Sequence, residues 1–282
     1  KKKDKKLSIT LKTIIDVQKK IKSEVRWTET SFSQQMSERT GAKVFVKYEN
    51  RQHTGSFKVR GSYNKLLSLS DKDRQKGVIA MSAGNHAQGL AFSARKLSAN
   101  SNIVMPIGTP FTKIRRTKNF GGNVFLKGNT LEESYHYVQK LMHENGFTEV
   151  HPYNDIEVIK GQGTLFYEML SDISSLDILL VPVGGGGLIA GCSIVAKEMN
   201  EKLKVIGVES RLYPSLSNII YNKKMPCKGS TIAEGIAVSE IGKIPFQIIN
   251  EIVDDVVTVS ETSIERAIAM LALSEKVVVE GA

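Results

Sequence analysis

A parallel α/β fold is what this sequence predicts, and three observations predict it. Strand-like and helix-like segments alternate along most of the chain. The strand-like segments are apolar on both faces. Two glycine-bearing segments, Ser82-Ala83-Gly84-Asn85-His86-Ala87-Gln88-Gly89 and Pro182-Val183-Gly184-Gly185-Gly186-Gly187, each stand where a strand gives way to a helix. Such alternation builds right-handed crossover units, and apolarity on both faces marks strands buried between helix layers. Ligands on these sheets sit at the carboxyl ends of strands, beside helix N-termini. The two glycine segments lie roughly a hundred residues apart, so a shared site requires two sheets facing a cleft.

The elements follow in order. Residues 7 to 25 carry Leu7, Leu11, Ile14, Ile15, Val17, Ile21 and Val25 near helical spacing, which predicts an amphipathic N-terminal helix. Lys43 to Glu49 alternates as a strand does. Strands are then expected at Gly77 to Met81, Asn102 to Met105 and Asn123 to Leu126, with helices at His86 to Leu97 and Leu131 to Glu144. The rhythm resumes with a helix at Gly163 to Leu170, a strand at Asp177 to Val181, a helix at Leu188 to Met199 and a strand at Lys204 to Val208. A last helix is expected over Ser263 to Ser274. No internal repeat or low-complexity linker interrupts the pattern.

Composition narrows the class. The 282 residues are 41% hydrophobic and 24% charged, ordinary values for a soluble globular chain. No apolar run reaches the roughly 18 to 20 residues of a membrane helix. The start, Lys1-Lys2-Lys3-Asp4-Lys5-Lys6, has no apolar stretch behind it and no initiator methionine, so it reads as a trimmed or partial chain without a secretory signal. Cys192 and Cys227 form no paired pattern, which suits a reducing, cytoplasmic compartment. The net charge of +10 is spread along the chain with few interleaved aromatics. A solvated basic surface is therefore expected rather than a nucleic-acid interface.

One lysine stands apart. Thr54-Gly55-Ser56-Phe57-Lys58-Val59-Arg60-Gly61 sets Lys58 in a glycine-flanked turn directly behind an aromatic residue. Lone lysines are usually surface cations, but an amine that forms an imine must spend time unprotonated, and that favours a partly buried site. Gly184 to Gly187 end a strand and open a helix, so backbone N–H groups can converge there on an oxyanion. Asn85 offers a donor and an acceptor on a short arm, suited to a ring hydroxyl or phenolate. Lysine, aromatic plate, polar loop and anion cradle are together the parts of a Schiff-base cofactor enzyme. A rival reading exists: Gly185-Gly186-Gly187-Leu188-Ile189-Ala190 satisfies the G-x-G-x-x-A dinucleotide fingerprint, with Glu209 ending the next strand. An NAD-dependent oxidoreductase would follow, but it places the fingerprint deep in the chain and leaves Lys58 and Asn85 without work.

From about Val25 to the last residue, these three segments resemble, in order, the fold-type II pyridoxal-phosphate enzymes, and within them the threonine dehydratase and serine racemase branch. The resemblance implies two parallel-sheet α/β domains facing a cofactor cleft. The large domain would comprise residues 1–77 and 150–282, and the small domain residues 78–149. It implies pyridoxal 5′-phosphate joined to Lys58. Further cofactor contacts are expected from Phe57, Asn85, Gly184, Gly185, Gly186, Gly187, Leu188 and Gly235. N–H groups around Ser82, Ala83, Gly84, Asn85 and His86 are expected to hold the carboxylate of an amino-acid substrate. His86 is expected to be a structural loop residue, because Lys58 can do the proton work. A homo-oligomer, dimer or tetramer, is also implied.

Within the family the pattern points to dehydration and deamination of L-threonine, and of L-serine, to a 2-oxo acid and ammonia. Gln52-His53-Thr54-Gly55 and the four glycines differ from the sulfhydrylase-type pattern. Racemases usually have a second serine after the one matching Ser82, acting as a base on the opposite ring face. Here Ala83 stands there, and a methyl group relays no proton. Met105-Pro106, Thr109-Pro110, Gly161-Gln162-Gly163-Thr164, Gly207-Val208-Glu209 and Thr231 to Ala237 also fit. Three departures stand out. Trp27-Thr28-Glu29-Thr30 lacks the usual threonine-proline pair. Tyr213, Pro214 and Ser215 replace acidic ligands that racemase-like relatives place after a glutamate matching Glu209, so no metal is expected. The chain stops at Glu280-Gly281-Ala282, before the final strand with the serine or cysteine partner of the pyridine nitrogen. The C-terminal end of the catalytic domain is thus expected to be missing, and a weakly active or non-catalytic remnant is a further alternative.

Overall fold

The computed structural model describes residues 9–282; the lysine-rich start and Leu7 lie outside the described residues. Helix α1 (Leu11–Ile21) is shorter than the amphipathic segment, because Thr10 and Thr13 close a capping box that fixes its start. It buries Ile14, Val17, Gln18 and Ile21. Strand β1 (Thr30–Phe32), helix α2 (Gln34–Thr40) and strand β2 (Phe45–Lys47) follow. The two strands pair antiparallel, Thr30 opposite Lys47. The alternating segment at 43–49 is therefore a strand as expected, but its partner β1 is too short to show a period in the sequence.

Helices α3 (Lys58–Ser68) and α4 (Asp71–Lys76) lead into β3 (Val78–Met81), α5 (Asn85–Lys96), β4 (Ser101–Met105), α6 (Phe111–Asn119), β5 (Asn123–Leu126), α7 (Leu131–Asn145) and β6 (Thr148–Glu149). These four strands form one parallel sheet in the order β5-β4-β3-β6. Then come α8 (Ile156–Asp172), β7 (Ile178–Pro182), α9 (Gly187–Met199), β8 (Lys204–Ser210), α10 (Ser215–Ile220), α11 (Lys243–Ile252), β9 (Asp255–Val259) and α12 (Glu261–Met270). The order β7-β8-β9 makes a second parallel sheet. Helix α8 starts seven residues earlier than the predicted segment, because Asp155 caps it by accepting from the N–H groups of Glu157 and Val158.

Each sheet has its own core. Val78, Ala80, Ala87, Leu90, Ile103 and Met105 fill the first, and Ile159, Phe166, Leu179, Val181, Ile189 and Val205 the second. Helices α3, α8 and α9 pack at close range through glycine. A Cβ on Gly161 would overlap the carbonyl of Arg60, and one on Gly191 the carbonyl of Ile159. The second sheet departs from the expectation of strands buried on both faces. One face, with Leu179, Val181, Val205 and Val256, lies in the core. The other leaves Ile178 52%, Leu180 63% and Val257 43% exposed.

A buried ionic cluster ties the N-terminal segment around β2 to helices α3 and α8. Arg60 is fully buried and makes paired bonds to Glu49 (2.8 and 2.8 Å) and to Glu168 (2.7 and 2.8 Å). Lys47 adds a third cation, 2.8 Å from Glu168. Two carboxylates meet two cations away from water, so the geometry leaves no charge uncompensated. Arg60 stands two residues after Lys58, and the cluster anchors the first turn of α3.

Candidate active site

Lys58 is the first residue of α3 rather than part of a turn; its N-cap residue, Phe57, makes no capping bond, and Ser56 Oγ accepts from the Lys58 N–H at 3.4 Å. Its amine donates to the carbonyl oxygen of Pro152 at 3.0 Å and lies 5.3 Å from the centre of the Phe57 ring. Burial pushes the amine down to about 8, with the Glu280 carboxylate pulling in the opposite direction. Gly55 does supply the expected tight backbone, at φ +79°. Gly61 does something else: it lies inside α3, where a Cβ would meet the Gln162 side chain, so its purpose is close helix packing.

The Ser82 segment follows β3 and opens α5, again without a side-chain cap at Gly84. Ser82 Oγ accepts from the N–H groups of Gly84 and Ala87, both at 3.2 Å. A Cβ placed on Gly84 would meet nothing within 4 Å, so the loop faces open space. Ala83 packs its methyl group against the first core. Asn85 Nδ2 donates to Glu280 Oε1 at 2.5 Å. His86 lies in the first turn of α5, not in a loop, and is buried. Burial, helped by the nearby Lys58 charge, pushes its imidazole down to about 3. The neutral ring must donate from Nε2 to the Val150 carbonyl at 2.6 Å, because a carbonyl only accepts. It pins α5 to the end of β6.

The four glycines join β7 to α9, whose start also lacks a side-chain cap. Their requirement is steric. A Cβ on Gly185 would overlap the Tyr153 ring, one on Gly187 would lie 2.9 Å from Tyr153 Cβ, and one on Gly184 would lie 3.1 Å from Ile236 Cα. Gly186 takes φ +92°, which favours glycine over any side chain. Leu188 is buried in the first turn of α9. Gly235 sits in a short 3-10 turn, where a Cβ would lie 3.4 Å from Glu280 Oε1 and 3.6 Å from Asn85 Nδ2.

These contacts close a circuit. Lys58 touches Pro152; Tyr153, the next residue, packs on Gly185 and Gly187; Gly184 adjoins Ile236; and Gly235 adjoins Asn85 and Glu280. The Lys113–Glu234 ion pair bridges α6 and the 3-10 turn beside it. Three helix starts, at Lys58, Asn85 and Gly187, thus border one cleft; Ser56 Oγ takes the Lys58 N–H and Ser82 Oγ the Ala87 N–H, and the other first-turn N–H groups are suited to anions. Sequence reasoning missed His151, Pro152, Tyr153 and Glu280. The one available signal was His151-Pro152 just after a strand-like end, the position where such sheets place ligands. His151 Nδ1 accepts from the N–H groups of Asn154 (2.8 Å) and Tyr153 (3.3 Å), and burial, with Lys58 nearby, pushes the ring down to about 4.

The pyridoxal-phosphate dependent enzyme profile matches residues 21–282. The chain belongs to that family. Among its relatives, an L-threonine ammonia-lyase of Thermotoga maritima is 43% identical over 276 residues, spanning 97% of this chain and 69% of the relative. A catabolic L-threonine dehydratase of Escherichia coli is 37% identical over 278 residues, or 98% and 84%. Among solved structures, the processed form of threonine deaminase isoform 2 from Solanum lycopersicum superposes with TM-score 0.90 at 33% identity, covering 96% of this chain and 75% of that one. Serine racemase from Dictyostelium discoideum gives TM-score 0.91 at 31% identity, covering 97% and 88%.

The residues present fit the family's cofactor. A pyridoxal phosphate needs a deprotonatable amine and an anion cradle. Lys58 is an amine with a lowered pKa, and the four glycines bring backbone N–H groups to the start of α9 with no side chains of their own. Membership in a pyridoxal-phosphate family removes the dinucleotide reading of Gly185 to Ala190. No group of three or more His, Cys, Asp or Glu able to hold a metal occurs among the described residues. Glu209 is buried and spends its oxygens on Leu216 N (2.6 Å), Ser217 N (3.0 Å), Ser217 Oγ (2.7 Å) and Ser215 Oγ (3.3 Å). Among the described residues no helix is long and apolar enough to cross a membrane.

Proposed function

We propose that the protein is a threonine ammonia-lyase, which converts L-threonine to 2-oxobutanoate and ammonia, the water first eliminated being regained on hydrolysis, and converts L-serine likewise to pyruvate and ammonia. The single observation that carries the reading is the Lys58 amine, buried, held by Pro152 and poised near neutrality, in one circuit with the glycine loop. The threonine ammonia-lyase and dehydratase relatives supply the reaction class.

Bound pyridoxal phosphate supplies the electron sink that acidifies the substrate's α-carbon. The protein's residues do the rest. Lys58 would anchor the cofactor through its amine and, beside the substrate, would take up and return the α-proton. The N–H groups of Gly184 to Gly187 at the start of α9 would hold the phosphate. The open loop from Ser82 to His86 holds the substrate carboxylate. His86 and His151 are neutral and take no proton at working pH. A racemase reading is favoured by the likeness to serine racemases. Ala83 weighs against it, because its methyl group offers no proton to the second face of the substrate.

The test is an assay of the cofactor-loaded protein with L-threonine, reading 2-oxobutanoate, with loss of optical purity of L-serine followed in parallel. Ketoacid formation should dominate, and Lys58→Ala should lower it by about 10²- to 10⁴-fold or more and abolish the cofactor's visible absorption band. Retention of both by the variant, or D-serine as the main product, would overturn the reading.

A further inference from the structure

We propose that Glu280 is a positioning residue of this site: its carboxylate dictates which way the Asn85 amide faces, and so turns Asn85 into a dedicated donor toward the cofactor. The inference rests on the functional reading above and deepens it.

The geometry is specific. Asn85 Nδ2 donates to Glu280 Oε1 at 2.5 Å, across 195 residues of chain. An isolated asparagine can turn either its carbonyl or its amino group toward a ligand, whereas a carboxylate only accepts. Beside Glu280, Asn85 must therefore present its nitrogen, and one N–H of that nitrogen is spent. The second N–H remains for an acceptor within the cleft, and the chemistry it suits is an oxyanion such as the phenolic oxygen of a pyridoxal ring. A charged acceptor behind an amide also polarises it and strengthens its remaining donor.

The surroundings hold the carboxylate in place. Gly281, next in sequence, packs so tightly on Ile232 and Ala233 that an added Cβ would lie 2.6 Å from Ile232 C and 2.9 Å from Ala233 N. Gly235 closes the other side, where an added Cβ would lie in ordinary contact with both partners of the pair and 3.0 Å from Ala282 Cβ. Glu280 is also the carboxylate whose charge acts on Lys58, so it lies within electrostatic reach of the reacting amine. Asn85 belongs to the helix after β3, while Glu280 belongs to the last residues of the chain. The bond therefore joins the two walls of the cleft.

The experiment is a titration of cofactor-free protein with pyridoxal phosphate, reading the visible absorption band, for wild type, Glu280→Ala, Glu280→Gln, Asn85→Ala and the Asn85→Ala/Glu280→Ala pair. Glu280→Ala should weaken binding by roughly 10-fold or more, the scale of a charged hydrogen bond. Glu280→Gln, whose amide oxygen still accepts from Asn85, should recover most of that loss. With Asn85 already alanine, removing Glu280 should change affinity by less than about 2-fold, since the two act as one unit. Glu280→Met keeps the length without the acceptor and replaces Glu280→Ala if the latter fails to fold. Wild-type affinity in Glu280→Ala, or an equal loss with and without Asn85, overturns the proposal while leaving the functional reading intact. If wild type itself takes up no pyridoxal phosphate and borohydride fixes none to Lys58, both fall together.

Discussion

At the scale of single residues, the fold makes the Lys58 amine easier to deprotonate. That amine rests on the Pro152 carbonyl, and burial brings its pKa to about 8 from the usual 10.5. Between those two values the folded chain binds fewer protons at Lys58 than the unfolded chain does. The penalty for burying the charge is thus fully present below pH 8 and is relieved as pH rises toward 10.5. The same shift makes the amine reactive early. In cofactor-free protein, Lys58 labelling by an amine reagent should rise through a midpoint near 8, read by peptide mapping. A Lys58 midpoint at the ordinary lysine value would show that the amine is not buried in solution.

Elements act here through their junctions. The four-glycine turn is shaped by what it touches, and Tyr153 lies where a Gly185 side chain would go. Gly185→Ala should therefore displace Tyr153 and with it the Pro152 carbonyl that holds Lys58. The measurable result is pyridoxal phosphate affinity lowered by at least about 10-fold, the scale of one misplaced interaction, with far-ultraviolet circular dichroism unchanged. Behind α3, the Arg60 cluster makes a different kind of demand. Glu168 is fully buried between Arg60 and Lys47. Glu168→Gln leaves two cations facing only Glu49, and should cost about 3–5 kcal/mol in urea unfolding. A loss below about 1 kcal/mol would mean that water reaches the cluster.

For the whole molecule, the site is where separate cores meet. One wall comes from the four-stranded sheet and α5, the other from α3, the glycine loop of the three-stranded sheet, and the final residues. A ligand that touches both walls stabilises only the assembled arrangement. Pyridoxal phosphate at about a hundred times its dissociation constant should add roughly 2.7 kcal/mol to unfolding, seen as a raised melting temperature that depends on cofactor concentration. Lys58→Ala should lose most of that rise. An equal rise in both proteins would place the binding elsewhere.

By itself, the sequence determined the parallel α/β class and the places of α1, α5, α7, α9, α12 and most of the parallel strands, but not helices α3 and α11, and it singled out Lys58, Asn85 and Gly184 to Gly187 as candidates. Those signals are local: an amine beside an aromatic ring, or a run of glycines between a strand and a helix, keeps its meaning within a few neighbouring residues. It placed Lys58 in a turn, because a helix start whose N-cap residue is Phe57 carries no clear mark. Only the tertiary structure decided that Pro152 meets Lys58 across 94 residues and that Glu280 meets Asn85 across 195. It also decided that Tyr153 gives the glycines their purpose and that one sheet face stands open at Ile178 and Leu180. The physical reason is that orientation, burial and charge at a site depend on distant segments brought together by packing, and no spacing along the chain records that meeting.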